Sequence, residues 1–211
     1  MPTHFGLTPA ELKILNRLST PIKIQNYLDA VPMNWEKHGE TYMSPRRVLR
    51  EKKMHCLEGA LLAATALWLQ HEPALLLDLR AKGDDDHVVT LYKRHGYWGA
   101  ISKTNHASLR FRDPIYKTLR ELVLSYFHEY FSDTTGKKVL HDYSSKPFNL
   151  KTRGSAWITT EENLFSLVTA IDEAAHTKIV PDNNLRFIRQ ADTMERRAGL
   201  LREWTRSNPL T

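Results

Sequence analysis

From Leu57 to Trp68 the apolar residues Leu57, Ala60, Leu61, Ala64, Leu67 and Trp68 fall at offsets of 0, 3, 4, 7, 10 and 11. That spacing lines one face of an α-helix. Gly59 and a series of alanines keep the helix slim, so neighbouring backbone can approach it closely. The pattern predicts a central helix over Cys56–Gln70, with the chain's single cysteine, Cys56, at its N-terminal end.

The segments around it extend this pattern. Thr8-Pro9-Ala10-Glu11 reads as a capped helix start, with a hydroxyl cap, a proline at the first helical position and a glutamate that can reach back. Ile22 to Val31 reads as a second helix ended by Pro32, and Ser44-Pro45 opens a third on the same capping logic. After Pro73 the period changes. Ala74–Arg80 reads as a buried strand, Lys82–Asp86 as a polar turn and His87–Tyr92 as a β-branched strand. Lys93–Gly96 turns the chain, Tyr97–Ser102 returns, and Ser108–Arg112 is a candidate fourth strand. Asp113-Pro114 reads as the cap of a helix over Ile115–Phe131. Thr160 to His176 reads as another helix and Asn184–Arg206 as a basic terminal one, with a short strand near Val139-Leu140. Tyr126 to Tyr130 reads as core packing in preference to a cleft wall. The expected class is α+β, a Cys-bearing central helix packed on an antiparallel sheet with further N- and C-terminal helices, in one domain of 211 residues.

Composition narrows the partners. Charged residues make up 26% and hydrophobic ones 41%, an ordinary globular balance. The net charge of +6 comes from Lys and Arg scattered in short clusters, which reads as a solvated surface in preference to a nucleic-acid face. No apolar run approaches the roughly 20 residues of a membrane span. The N-terminal residues do not read as a secretory leader, and one cysteine cannot close an intramolecular disulfide, so a reducing, cytoplasmic setting is expected. No Gly-rich phosphate loop, metal motif or dinucleotide fingerprint occurs, so no cofactor or metal is expected.

Cys56 is then the residue to explain. A lone cysteine is commonly a small buried hydrophobe. A helix N-terminus, however, lowers a thiol's pKa and offers backbone N–H groups to an oxyanion. His87 opens a strand, from which its ring can project beyond the sheet end towards the helix N-terminus. His55, adjacent to Cys56, is the rival imidazole, but neighbouring helical residues diverge by about 100° and seldom face each other. For the group that orients His87 the candidates are Ser102, Asn105 and Asp113. A hairpin turning about Arg94-His95 sets Ser102 opposite His87, whereas an amide carbonyl fixes an imidazole more firmly, which favours Asn105. Asp113 precedes a proline and is expected to cap. The run Asp84-Asp85-Asp86 reads as a solvated turn in preference to a metal site; beside His87 it favours an imidazolium and could attract a basic substrate.

The order of these parts resembles the transglutaminase-like superfamily, a papain-like cysteine-enzyme fold. The resemblance rests on Cys56-Leu57-Glu58-Gly59-Ala60-Leu61-Leu62-Ala63-Ala64, Pro73 to Arg80, His87-Val88-Val89 and Trp98-Gly99-Ala100-Ile101-Ser102, within roughly residues 45–113. Met54 and Leu57 depart from the glycine and aromatic residue that often flank the family's cysteine, and no aspartate stands plainly in the third role. The resemblance implies Cys56 as nucleophile, His87 as proton shuttle and Asn105 as the group that orients it. They would act on a peptide or carboxamide of a peptide or protein substrate, without metal or organic cofactor. The family also includes inactive members, so the alternative is a binding protein that uses the same cleft for a peptide or protein partner.

Overall fold

A computed structural model of the chain describes residues 4–37 and 39–203. Four helices come first: α1 (Pro9–Arg17), α2 (Pro21–Ala30), α3 (Pro45–Glu51) and α4 (Cys56–Leu69). The first three share one start signal. Thr8, Thr20 and Ser44 accept hydrogen bonds from the backbone N–H groups of Glu11, Lys23 and Arg47, each with proline in the first turn. In α4 every residue from Leu57 to Leu67 is buried, so the single apolar face predicted from spacing becomes burial all round. The reason is its position, with α1, α2 and α3 against it on one side and the sheet on the other.

The strands are β1 (Leu75–Ala81), β2 (His87–Arg94), β3 (Tyr97–Ile101), β4 (Arg112–Tyr116), β5 (Leu140–Ser144), β6 (Phe148–Asn149) and β7 (His176–Lys178). They form one sheet in the order β4-β3-β2-β1-β5-β7, with β6 also on β1, and every pairing is antiparallel. The architecture is thus mixed α+β. Strand β2 shows why the sheet is a middle layer. Val88 and Tyr92 join the core shared with α4, while Val89 and Leu91 join a second core with α5 (Leu119–Phe127). The Thr90 hydroxyl, on the α4 side, donates to the Ala60 carbonyl at 2.7 Å and pins strand to helix.

The β2–β3 hairpin turns at His95-Gly96, whose φ values of 49° and 86° suit a two-residue hairpin turn. Arg94 pairs with Tyr97 and Thr90 with Ile101. The expected register is therefore displaced by two residues, and Ser102 comes opposite Val89, not His87. A shift of two preserves the face, so Ser102 still lies on the side that His87 shares with Val89.

The structure corrects the second half of the chain. Asp113-Pro114 does not cap a helix but lies in β4, at the sheet edge, where proline's missing N–H is tolerated. The helix begins later because Thr118 and Glu121 form a complete capping box. The helix expected over Thr160–His176 is confined to α6 (Phe165–Asp172), and His176 starts β7. In place of one terminal helix there is a 3-10 helix, Asp182–Phe187, then α7 (Thr193–Gly199). The Asp192 carboxylate starts α7 by accepting from the N–H groups of Met194 and Glu195. Trp204 to Arg206, the end of that expected helix, lie outside the described residues. Among the described residues, no helix is long and apolar enough to cross a membrane.

Candidate active site

Where α4 begins, beside the end of β2, a cleft of about 370 Å³ opens. Its lining includes His55, Cys56, His87, Asn105, Trp35 and the Asp84–Asp86 turn. Tyr126 and Phe127 are packed in the core, as expected, while Glu129 and Tyr130 reach the cleft wall. The Tyr130 hydroxyl donates to the Asp85 carbonyl and so ties α5's C-terminal extension to the acidic turn.

Cys56 is the first residue of α4, half-buried and free. Burial pushes its thiol up, but hydrogen bonds from His55 and His87, with the charge those rings carry, bring it down to about 5. The thiol donates to the Asp86 carbonyl at 3.9 Å, and both imidazoles line the same cleft. The sequence argument against His55 fails for a specific reason. His55 is the N-cap residue, with an extended backbone (φ −97°, ψ −174°), so the angular divergence between successive helical residues does not separate it from Cys56.

His87 is held from behind. Its Nε2 lies 2.8 Å from the Ser102 hydroxyl, which donates its own proton to the Leu109 carbonyl at 2.6 Å. With that proton committed, Ser102 Oγ accepts from Nε2–H, and Nδ1 is left with a lone pair to serve the thiol. Ser102 is itself clamped by Gln25 on α2. The Gln25 side-chain carbonyl accepts from Ser102 N–H at 2.9 Å, and its amide donates to the Ser102 carbonyl at 2.8 Å. Asn105, the group expected to orient His87, lines the same cleft, and its backbone carbonyl accepts from Glu203 N–H at 2.8 Å. Among the described residues, the bond to the ring is made by Ser102. Register explains the difference: Ser102 is one step beyond β3 on the correct face, while Asn105 lies in the loop past it. Asp113, the third candidate, is exposed in β4.

His55 has its own support. Its Nε2 lies 2.8 Å from the Thr41 carbonyl, 3.5 Å from a Glu58 carboxylate oxygen and 3.9 Å from Glu36. Tyr42 meets the ring edge-on. Burial alone would lower its pKa, but the bond and charge of Cys56, the charge of Glu58 and the Thr41 carbonyl raise it to about 9. Glu58 is completely buried. It accepts from the N–H of Met43 at 2.9 Å and of His55 at 3.0 Å, and from the Asn34 amide at 3.1 Å. Sequence reasoning missed Gln25 and Glu58, and it weighs His55 only as a rival to His87. The available signal was a polar side chain inside an otherwise apolar helical run, which in a buried helix must be hydrogen-bonded.

The acidic turn has an unexpected neighbour. Asp86, with Asp78 and Asp172, places carboxylate oxygens within 4.8 Å of one another. Two of the three have protein partners: Asp78 bonds His176 Nε2 at 3.0 Å, and Asp86 takes Ala81 N–H at 2.7 Å. Burial and the charge of Asp86 raise Asp78 to about 6, the response of carboxylates crowded together. No metal role is assigned to them.

No protein-family model matches the chain, and no curated protein matches it either.

Proposed function

We propose that the protein is a cysteine-dependent hydrolase or acyltransferase of transglutaminase-like, papain-like type. Its substrate would be a peptide or carboxamide bond, opened through a thioester. The observation that carries this reading is one arrangement: a thiol at a helix N-terminus, lowered to about 5, in one cleft with His87, whose Nε2 is fixed by Ser102. In this reading the Cys56 thiolate attacks the carbonyl carbon and forms the C–S bond. The carbonyl's electron pair moves onto oxygen, received by backbone N–H groups at the start of α4. Collapse of that intermediate breaks the C–N bond, and the amine leaves with a proton from an imidazolium at the sulfur. Water or a second amine then gives a proton to His87 and attacks the thioester, regenerating the thiolate.

The test is to incubate wild type and Cys56→Ala with peptide anilides and with glutamine- and asparagine-containing peptides, with and without hydroxylamine. Intact-mass spectrometry would follow the enzyme and product analysis the acceptor. The expected outcome is an acyl adduct on Cys56 that disappears in the variant, with hydroxamate formation marking acyl transfer. A full panel that leaves the enzyme unmodified and the peptides unchanged would favour the second reading. That reading is a binding cleft, and the observation on its side is a hydroxyl in place of an amide or carboxylate behind His87.

A further inference from the structure

We propose that His55 is a second catalytic imidazole, the group that takes the proton from Cys56 and stands beside the resulting thiolate as its imidazolium, while His87 serves proton transfer at the substrate. This rests on the reading above for what the thiolate is used for, but the ion pair itself is a property of the resting site. The step is one proton transfer. The S–H bond of Cys56 breaks, a bond from hydrogen to His55 Nδ1 forms, and the electron pair remains on sulfur.

Geometry favours His55 for this role on three grounds. First, its tautomer is set. The Thr41 carbonyl at 2.8 Å from Nε2 can only accept, so Nε2 carries hydrogen and Nδ1 is left with a lone pair. Second, the positive charge is provided for. The Glu58 carboxylate, wholly buried and 3.5 Å from Nε2, and Glu36 at 3.9 Å both lie beside the ring. Removing a proton from that ring would leave the buried carboxylate without its nearest cationic partner. Third, His87 is supported differently. Its Nε2 meets a neutral hydroxyl whose proton is already committed to Leu109, an arrangement that orients the ring. The groups facing His55 are Cys56 and Glu58 on α4, and Glu36, Thr41 and Tyr42 on the loop before α3. The directions of the two titrations agree, with His55 raised to about 9 and Cys56 lowered to about 5.

The division of labour has a chemical consequence. In a two-residue ion pair the same imidazole must stabilise the thiolate and move protons at the substrate. With His55 holding the resting charge, Nδ1 of His87 is free to accept a proton from water or an incoming amine.

The experiment measures Cys56 alkylation by iodoacetamide against pH in wild type, His55→Gln and His87→Gln, with circular dichroism to verify folding. In wild type, histidine-selective NMR of the imidazole nitrogens is recorded before and after alkylation. His55→Gln is expected to move the reactivity midpoint upward by about one to three pH units, and His87→Gln by less. The His55 ring should remain protonated to about pH 9 in wild type and titrate lower once Cys56 is alkylated. A midpoint unmoved by His55→Gln, or a larger shift in His87→Gln, overturns the proposal. If His55→Gln does not fold, a wild-type His55 that titrates near the ordinary histidine value overturns it equally. Turnover with a His55-independent midpoint would remove this inference and leave the proposed function; a His55-dependent midpoint without acyl adducts would do the reverse.

Discussion

Ser102 Oγ stands 2.8 Å from Nε2 of His87 while donating to the Leu109 carbonyl at 2.6 Å, so the hydroxyl can only accept from the ring. One serine thereby fixes both the rotamer and the tautomer of the histidine. Ser102→Ala removes the acceptor and leaves a buried Nε2–H without it. A neutral hydrogen bond of this kind contributes about 1 kcal/mol, so kcat on a carboxamide substrate should fall roughly five-fold. The alkylation midpoint of Cys56 should stay within half a unit or so of wild type, since the thiolate's charge partner is elsewhere. Steady-state kinetics beside the alkylation profile separates these effects, and unchanged kcat would remove Ser102 from the relay.

Gln25 reaches from α2 to both backbone groups of Ser102, at 2.9 Å and 2.8 Å, and is itself buried. Gln25→Leu keeps the volume roughly constant but leaves a buried N–H and a buried carbonyl unpaired. The expected loss is about 2 to 4 kcal/mol, read as a lower urea midpoint. Combined with Ser102→Ala, the loss in kcat should be less than the product of the single effects, because both changes release the same ring. Full independence of the two would show that Gln25 supports the fold alone.

The parts legible in the sequence are those with local causes. Hydroxyl-proline starts mark α1 and α3, apolar spacing marks α4, and β-branched alternation marks β2. Cys56 and His87 were both placed in the cleft from such signals. The errors arise where a distant partner decides. Asp113-Pro114 looks like a helix start until pairing with β3 draws it into an edge strand, and the β2–β3 hairpin turns one residue later than its sequence suggests. Clamps such as Gln25 on Ser102 join segments 77 residues apart and leave no short-range trace. The angular argument against His55 treats it as helical, whereas its backbone has the extended conformation of an N-cap.

Gly59 lies where α4 meets the segment after β3. A Cβ there would stand 2.5 Å from Lys103 Cβ and 3.2 Å from Met54 Sδ. The Lys103 atom is next to its backbone and cannot swing away, while the far end of that side chain is fixed by the Leu28 carbonyl at 2.8 Å and by the Val31 carbonyl. Gly59→Ala should therefore destabilise by about 1 to 3 kcal/mol despite alanine's better helix propensity. Thermal unfolding checks the sign, and a variant as stable as wild type would mean that α4 and the Lys103 segment are not packed this closely.

The pH dependence of stability follows from the same thiol. Cys56 is lowered to about 5, so its ionisation contributes stability that is full only above the ordinary thiol value and is lost as pH falls through about 5. His55 is raised to about 9, so its share is full below the ordinary histidine value and is lost as pH rises through about 9. The ion pair is therefore intact between about 5 and about 9. Cys56→Ser keeps the shape of the side chain and removes the anion. Urea unfolding of wild type and Cys56→Ser should run parallel near pH 4, where the thiol is protonated (about one unit below its pKa). Wild type should gain on the variant as pH rises from about 5 towards neutrality. Other titrating groups, Asp78 included, are common to both proteins and largely cancel in the difference. A gap between the two curves that stays constant across this range would mean that Cys56 is held as a neutral thiol.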